Sequence, residues 1–494
     1  MSASATITPL FVAIPLGAAF LTVLLARRWG WLADGLGLAA TFLTMGMALA
    51  GTRLAQGGAD AIHPVGGWDP PVGIAMVMDG LTLFLLVTVN IVAFLTALYA
   101  VNYMRAFTAK WQFYALFLLM LAGMNGVVVT GDLFNLYVFL EIAAVASYAL
   151  VAFGTERHEL EAAFKYAIMS TLGSLSVLLG IGILYSYTST LNMADMAQAL
   201  RGHEGAAIPT LAGVLFVTGF GLKAALVPFH AWLPDAHPSA PAPISAMLSG
   251  VFIKSLGVYA LCRVVFNVLG MPEPLLSVLM ALGALSMLVG VFLAVGQWDF
   301  KRLLAYHSIS QIGYVVLGIG LATPLGLVGG LFHLFNHSIF KSLLFLNAGA
   351  VEWATGTRDL RQMGGLRRRL PVTSGTTLVA SMSIAGIPPF NGFWSKLIII
   401  LAAVEAQRYG YAVCAVVVSV LTLASFMKVV KYAFLGVTPE RWKNVREVPH
   451  LMKAAMIVLA VICVVGGALL LPAVGEPYLS SAAEVLKPGL WVAD

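Results

Sequence analysis

Six lysines, Lys223, Lys254, Lys341, Lys396, Lys428 and Lys431, fall within stretches that otherwise read as membrane-spanning helix. A seventh charge, Glu141, lies in the middle of another such stretch, LYVFLEIAAVASYALVAF. A charged side chain at the centre of a bilayer costs about 2.5–3.5 kcal/mol on insertion scales, so such residues mark ion pathways or paired functional groups. The chemistry they imply is movement of charge, protons first, through a polytopic membrane protein. Burial disfavours a charged ammonium and a nearby carboxylate favours it. A Glu141–Lys223 pair therefore reads either as a proton site that switches when the carboxylate moves or as a static salt bridge.

Histidines supply a second set of proton carriers, because imidazole titrates near neutral pH. His307, His333 and His337 fall in two further apolar stretches, and His230 and His237 flank a proline-rich break. His333 and His337 are four apart and share a helix face, which Lys341 continues. These five histidines read as proton relays or as hydrogen-bonded packing groups. An i, i+4 His pair without a third ligand at usable spacing is a weak zinc site, and no metal is expected. Asp132, beside Gly131, reads as a helix cap, and Asp79 as a mouth residue or a buried structural acid.

The elements that must hold these residues follow from composition. The chain is 494 residues long, 60% hydrophobic and 10% charged, with a mean hydropathy of +0.92. Average soluble domains carry about 25% charged residues, so a soluble fold is excluded. Apolar runs long enough to span predict fourteen helices, over 6–26, 34–54, 72–101, 112–130, 132–153, 160–186, 207–227, 242–267, 273–296, 302–322, 325–349, 371–403 (interrupted), 408–435 and 451–472. Of the other basic residues, seventeen fall in the odd-numbered connections and at their edges, and five, Arg53, Arg201, Arg263, Arg408 and Lys487, count with the even ones and the C-terminal tail. By the positive-inside rule both termini are expected outside the cytoplasm, in a multi-pass protein of the cell (plasma) membrane. No basic domain stands apart to bind nucleic acid. Arg27 and Arg28 follow the first apolar run, which reads as a retained helix and not as a signal peptide. Cys262, Cys414 and Cys463 lack metal-binding spacing and read as inert core residues, which excludes thiolate-held clusters.

Two spans carry breaks. One follows Lys223, in GLKAALVPFHAWLPDAHPSAPAPISAML, and the other precedes Lys396, in SIAGIPPFNGFWSKLIII. Proline removes a backbone donor and interrupts the helix, and freed backbone groups persist at membrane depth only where protein or a wet cavity satisfies them. Paired broken helices suit a transporter built from repeats. The expected fold is an all-α polytopic membrane protein with two inverted five-helix repeats and broken helices 7 and 12. Its parts are 1–111 (helices 1–3), 112–267 (helices 4–8), 268–435 (helices 9–13) and 436–494 (last helix and tail).

The segments GDLFNLYVFLEIAAVASYALVAFG, FHAWLPDAHPSAPAPISAMLSGVFIKSLGVYAL, KRLLAYHSISQIGYVVLGIG, HLFNHSIFKSLLFLNAGAVEW and SIAGIPPFNGFWSKL carry a family resemblance. They resemble the antiporter-like membrane subunits shared by respiratory complex I, membrane-bound hydrogenases and Mrp-type cation/proton antiporters. FNLYVFLEI…ASYALVA points to the Mrp D-type subunit within that family. The resemblance spans residues 70–440 and matches the family's helix 5 glutamate to Glu141, its helix 7 lysine to Lys223, its helix 8 lysine to Lys254 and the charged residue of its broken helix 12 to Lys396. It implies a proton path through these four residues in a subunit of a multi-subunit Na⁺/H⁺ antiporter. The expected partners are other antiporter subunits, the lipid bilayer, protons and Na⁺, and no cofactor is expected. Two alternatives remain: a non-catalytic proton-pumping subunit of a complex I-type or hydrogenase redox complex, and a structural scaffold. The chain stops soon after span fourteen, without the lateral helix or added domains of the largest relatives.

Overall fold

Aliphatic side chains around the whole circumference leave these helices no single polar face, so each can satisfy its backbone only internally and pack against others or lipid. The computed structural model describes residues 6–54, 61–203 and 205–487. In order it contains α1 (Leu10–Leu21), α2 (Trp31–Leu54), β1 (Ala61–Pro64), β2 (Ala75–Met78), α3 (Gly80–Tyr103), α4 (Lys110–Val129), α5 (Leu133–Val151), α6 (Arg157–Thr188), α7 (Met193–Leu200), α8 (Ala207–Lys223) and α9 (Leu233–Ser239). Then follow α10 (Ala242–Val268), α11 (Glu273–Val295), α12 (Phe300–Gly320), α13 (Pro324–Thr355), α14 (Pro371–Ala385), α15 (Asn391–Glu405), α16 (Tyr409–Phe434) and α17 (His450–Val465). Among the described residues, ten helices are long and apolar enough to cross a membrane, and Leu10–Ala26 and Ala207–Lys223 are shorter apolar helices. The protein is a multi-pass, mostly helical membrane protein.

The helices α3, α10, α12 and α13 form the centre, and along α10 every residue is buried. The outer helices α1, α2, α6, α11, α16 and α17 show alternately buried and exposed apolar residues, the pattern of a face turned to lipid or a partner.

Several boundaries differ from the sequence reading. Residues 72–79 are not the start of a helix: Ala75–Met78 pairs antiparallel with Ala61–Pro64, and α3 starts after Asp79, whose carboxylate accepts from the Thr82 N–H at 2.8 Å. A short apolar run cannot be told from a strand by periodicity. The C-terminal segment is not a bare tail either, since Tyr478 donates to the Phe84 carbonyl at 3.0 Å and packs on α3.

Asp79 resolves as a structural acid. It is 2% exposed, and its Oδ1 lies 2.6 Å from Arg263 Nη2. Arg263 donates further to Thr82 Oγ1 at 2.9 Å, Tyr259 Oη at 2.8 Å and Asn267 Oδ1 at 3.3 Å. Counting Arg263 as a connection residue was therefore wrong: it lies within α10, where the pair fastens α10 to α3. Asp132 caps α5 through the Asn135 N–H at 2.7 Å.

Two helix junctions share one hydrogen-bond pattern. At the start of α5, Leu133 N–H donates to the Leu191 carbonyl and Met193 N–H to the Gly131 carbonyl, both at 2.9 Å. At the start of α12, Phe300 N–H donates to the Arg358 carbonyl at 3.0 Å and Leu360 N–H to the Trp298 carbonyl at 2.9 Å. The helices leading into these junctions, α6 and α13, each have 32 residues and end with a threonine, Thr188 or Thr355, bonded back to the preceding turn.

Removing one partner of a buried ion pair leaves the other charge uncompensated and costs about 3–5 kcal/mol, whereas replacing both by apolar groups is often neutral. Arg263→Met should therefore sharply lower the temperature at which the detergent-solubilised chain aggregates, and the double variant Asp79→Leu/Arg263→Met should recover most of that loss. A single variant that melts with the wild type would show that the pair does not hold α3 and α10 together.

Candidate functional site

The first cluster forms where α5, α6 and α8 meet. Lys223 is the last residue of α8, where helix carbonyls lack partners and a cation is favoured. It is 2% exposed and donates to Ser170 Oγ on α6 at 2.7 Å. Its Nζ lies 3.6 Å from Glu141 Oε1 on α5, and the Ser174 hydroxyl donates to the same carboxylate oxygen. Ser170 and Ser174, four apart on one face of α6, thus hold the two members of the pair separately. The Glu141 side chain keeps 29% of its surface exposed on the outer side of α5.

Past Lys223 the chain leaves helical geometry. Ala225 has a φ of +56°, the Leu222 carbonyl accepts from Trp232 Nε1 at 3.0 Å, and the Val227 N–H donates to Ser286 Oγ at 2.9 Å. The break thus leaves α8 and the short α9 separate, as the prolines require. Gly257 of α10 packs on the break so closely that a Cβ there would lie 2.6 Å from Ala224.

The second cluster lies in the centre. Lys254 is fully buried in a part of α10 that opens into wide π-type turns over Leu248–Phe252 and Lys254–Tyr259, a distortion frequent at functional sites. Its ammonium donates to the Ser249 carbonyl. Ser249 Oγ and Ser308 Oγ share a hydrogen bond of 2.7 Å, Ser308 donates to the Leu304 carbonyl at 3.1 Å, and Lys341 donates to that same carbonyl. Two hydroxyls and a shared carbonyl thus lead from Lys341 to Ser249, whose backbone carbonyl, and not its hydroxyl, holds Lys254.

The third cluster surrounds the second break, between α14 and α15. Gly386, at φ +80°, ends α14, and Lys396, 3% exposed, donates to the Ile384 carbonyl at 2.8 Å. Its Nζ lies 4.7 Å from the centre of the Tyr314 ring, which is 5.4 Å from His333. His333 bonds Ser395 Oγ at 2.9 Å and Gln311 Oε1 at 3.2 Å. Its ring stacks 6.3 Å from His337, whose two nitrogens have no hydrogen-bond partner among the described residues. His333, His337 and Lys341 are all fully buried on one face of α13, as their spacing implies. Among the described residues no three His, Cys, Asp or Glu side chains come together to hold a metal ion.

The remaining predicted residues divide. His307 is buried and shares a 2.8 Å hydrogen bond with Ser425 Oγ. His237 is fully buried between Trp232 and Phe345, with both ring nitrogens unpartnered among the described residues. His230, beside the first break, is half-buried and outside the polar clusters. Lys428 and Lys431 do not belong with the central lysines. Lys428 donates to the carbonyls of Val295 at 2.7 Å and Gln297 at 2.6 Å, closing the C-terminal end of α11, and Lys431 is exposed. Both lie near the end of α16, where a long side chain can reach the interface.

The sequence reading missed the serines. Ser170, Ser174, Ser249, Ser308 and Ser395, with Gln311 and Tyr314, link the charged groups, and only the i, i+4 spacing of Ser170 and Ser174 hinted at this. It also missed a charged cavity of about 290 Å³ between the starts of α6 and α12 and the short α9, lined by Glu161, Lys165, Asp235, Asp299, Arg302 and Arg358. Beside it, Lys301 lies 2.9 Å from Glu352 and donates to the Ala240 carbonyl at 3.2 Å.

With this arrangement in view, the relatives can be placed. Residues 130–422 match the transmembrane family described as NADH:quinone oxidoreductase/Mrp antiporter, and residues 65–114 match the family described as the N-terminus of complex I chain 5. The chain belongs to this antiporter-like family. It is 35% identical to the D-type subunit of the Na(+)/H(+) antiporter of Alkalihalophilus pseudofirmus over 461 residues, 91% of this chain and 92% of that one. It is 40% identical to the N-type subunit of the NADH-quinone oxidoreductase of Desulforudis audaxviator over 439 residues, 87% of each chain. Its fold is similar to a chain of the Mrp complex from Dietzia sp., with a TM-score of 0.90 at 30% identity, covering 98% of this chain and 97% of the other. It is equally similar to a chain of an archaeal membrane-bound sulfane sulfur reductase, with a TM-score of 0.90 at 29% identity, covering 97% and 98%.

A methyl group at Gly386 would force an L-residue into the left-handed region, at about 1–2 kcal/mol, and would lie 3.0 Å from Lys396 Cδ. Gly386→Ala should therefore lower thermal stability and displace Lys396, reducing transport in reconstituted vesicles. Gly375→Ala, in the same helix where a Cβ meets open space, is the control and should leave both measurements unchanged. Equal behaviour of the two variants would show that the break does not position Lys396.

Proposed function

We propose that this chain is a proton-translocating subunit of a multi-subunit Mrp-type Na⁺/H⁺ antiporter, in which Glu141, Lys223, Lys254 and Lys396 form a lateral proton path. The observation that carries this reading is the sequence of buried ionisable groups, from the Glu141–Lys223 pair through Lys254 and Lys341 to His337, His333 and Lys396. Serine hydroxyls and ring contacts fill most gaps between them, in a fold that matches a chain of an Mrp complex. Lys223 bonds a serine and Glu141 bonds a different serine, so the carboxylate can swing away without dragging the ammonium. Each such movement changes how well the positive charge on Lys223 is compensated, which makes proton release conditional on Glu141.

His333 and His337 are relays between Lys341 and Lys396. We read His237 and His307 as further relays and His230, outside the polar clusters, as a relay at the first break. The fourteen membrane crossings are α1 to α6, α8, α10 to α13, the broken α14–α15, α16 and α17. We read residues 112–267 and 268–435 as two five-helix units of inverted orientation, flanked by 1–111 and 436–494. The matching junctions of α5 and α12, the equal lengths of α6 and α13, and the proline–phenylalanine pair at each break (Pro228–Phe229 and Pro389–Phe390) support that reading. The concentration of basic residues in the odd-numbered connections supports termini outside the cytoplasm and a place in the plasma membrane. The chain works with other antiporter subunits, and Na⁺ is the exchanged cation.

A second reading keeps the path but places the chain, without catalytic chemistry of its own, in a redox-driven complex. The resemblance to the NADH-quinone oxidoreductase subunit and to the sulfane sulfur reductase favours it. Mass spectrometry of the subunits that co-purify with the chain separates the two, because a redox complex brings electron-transfer subunits.

In inverted vesicles holding the assembled complex, Lys223→Ala should reduce the Na⁺-induced change in ΔpH to background. Glu141→Gln should be nearly as severe, since it keeps volume and hydrogen bonding but loses the charge, while Glu141→Asp retains partial activity. Wild-type activity in an assembled Lys223→Ala complex would leave the chain a scaffold whose charges only lock helices.

A further inference from the structure

A groove of about 690 Å³ opens between the end of α1, the α3–α4 connection and the α5–α6 connection, far from the buried lysines. Its size falls within the ~300–1,000 Å³ typical of small-molecule sites. Val23, Phe107, Trp111, Leu116 and Phe153 line its apolar part, while Gln112 and Thr155 bring polar groups to its rim. The helix ends that form it carry basic residues. Arg27 stands one turn beyond Val23, on the same helical face, and Arg105 directly precedes the lining residue Ala106. Both are exposed, and neither forms an ion pair among the described residues. Lys110 nearby is different, since Asp34 neutralises it at 2.7 Å. The groove thus has a largely apolar lining with a few polar groups, and the helix ends that form it carry two unneutralised guanidinium groups next to lining residues.

We propose that this groove holds an anionic phospholipid of the leaflet on the basic side of the protein, its acyl chain against Trp111 and Phe153 and its phosphate between Arg27 and Arg105. Charge complementarity selects this occupant. Unpaired arginines at the headgroup level attract anionic lipid, as basic pockets between membrane helices do, and guanidinium binds phosphate through paired N–H donors. An apolar polypeptide segment would fill the slot but leave both arginines without a counter-charge. The lipid would wedge α1 against the junctions of α4 and α5, and so brace α5, the helix that carries Glu141.

The test uses the full-length chain with the subunits it holds, reconstituted into phosphatidylcholine vesicles containing a minority of phosphatidylglycerol. After re-extraction in mild detergent, lipids retained per chain are counted by mass spectrometry. The wild type should retain phosphatidylglycerol well above its share of the vesicle. The double variant Arg27→Gln/Arg105→Gln should lose that enrichment, and Arg27→Lys/Arg105→Lys should keep most of it. Ala149→Trp, at an exposed position in the groove wall, should abolish retention while leaving both arginines in place. No enrichment in the wild type overturns the proposal. Enrichment that survives Ala149→Trp also overturns it, because surface charge alone then accounts for the binding. If Ala149→Trp releases a co-purifying polypeptide and the phosphatidylglycerol count is unchanged, the groove is a subunit contact and the proposal fails.

Discussion

An ammonium group deep in an apolar helix bundle must find an oxygen, and in this protein backbone carbonyls and a serine hydroxyl supply it. Lys396 takes the Ile384 carbonyl, freed where α14 stops before Gly386, and Lys254 takes the Ser249 carbonyl in a stretch where α10 widens. Lys341 takes the Leu304 carbonyl from the neighbouring α12, and Lys223 takes a serine hydroxyl at the end of α8. In a regular helix each interior carbonyl is already occupied by the N–H four residues on. Breaks, wide turns and serines therefore supply the oxygens for Lys396, Lys254 and Lys223, while Lys341 shares a carbonyl inside the regular helix α12.

The same arrangement leaves these charges without a tight ionic partner. A carboxylate bound tightly to each lysine would fix both, as Asp79 and Arg263 fix α3 to α10 with several short hydrogen bonds. The Glu141–Lys223 contact, at 3.6 Å, is looser, and each partner has its own serine. The protein thus contains two kinds of buried charge, one fully paired and structural, the other held by neutral oxygens that tolerate either protonation state. The fully paired kind needs no water.

Much of this was legible in the chain. The two proline breaks and the lysines beside them are local features, and each appeared where its residues placed it, whereas the apolar run at 72–79 holds the strand Ala75–Met78. The i, i+4 spacing of His333 and His337 put both on the buried face of α13. The legible part ended where position along a helix had to be converted into depth. Lys428 and Lys431 resemble Lys254 in sequence, yet they sit at the end of α16, one capping α11 and the other exposed. Arg263 has the look of an interfacial residue and is buried, because its partner Asp79 lies 184 residues away.

The sequence by itself determined that the chain is a helical membrane protein, where its helices break, and which residues are charged in apolar surroundings. Those properties depend on the cost of exposing backbone and side chains to hydrocarbon, which is counted residue by residue. Only the tertiary structure decided which charges meet. Ser170 and Ser174 became the holders of Lys223 and Glu141, and Ser249 and Ser308 the link between Lys254 and Lys341, because α5, α6, α8, α10 and α12 approach one another at those particular heights. Serine is common in membrane helices and ordinarily bonds its own backbone, so nothing in its local sequence marks the few that face a charge.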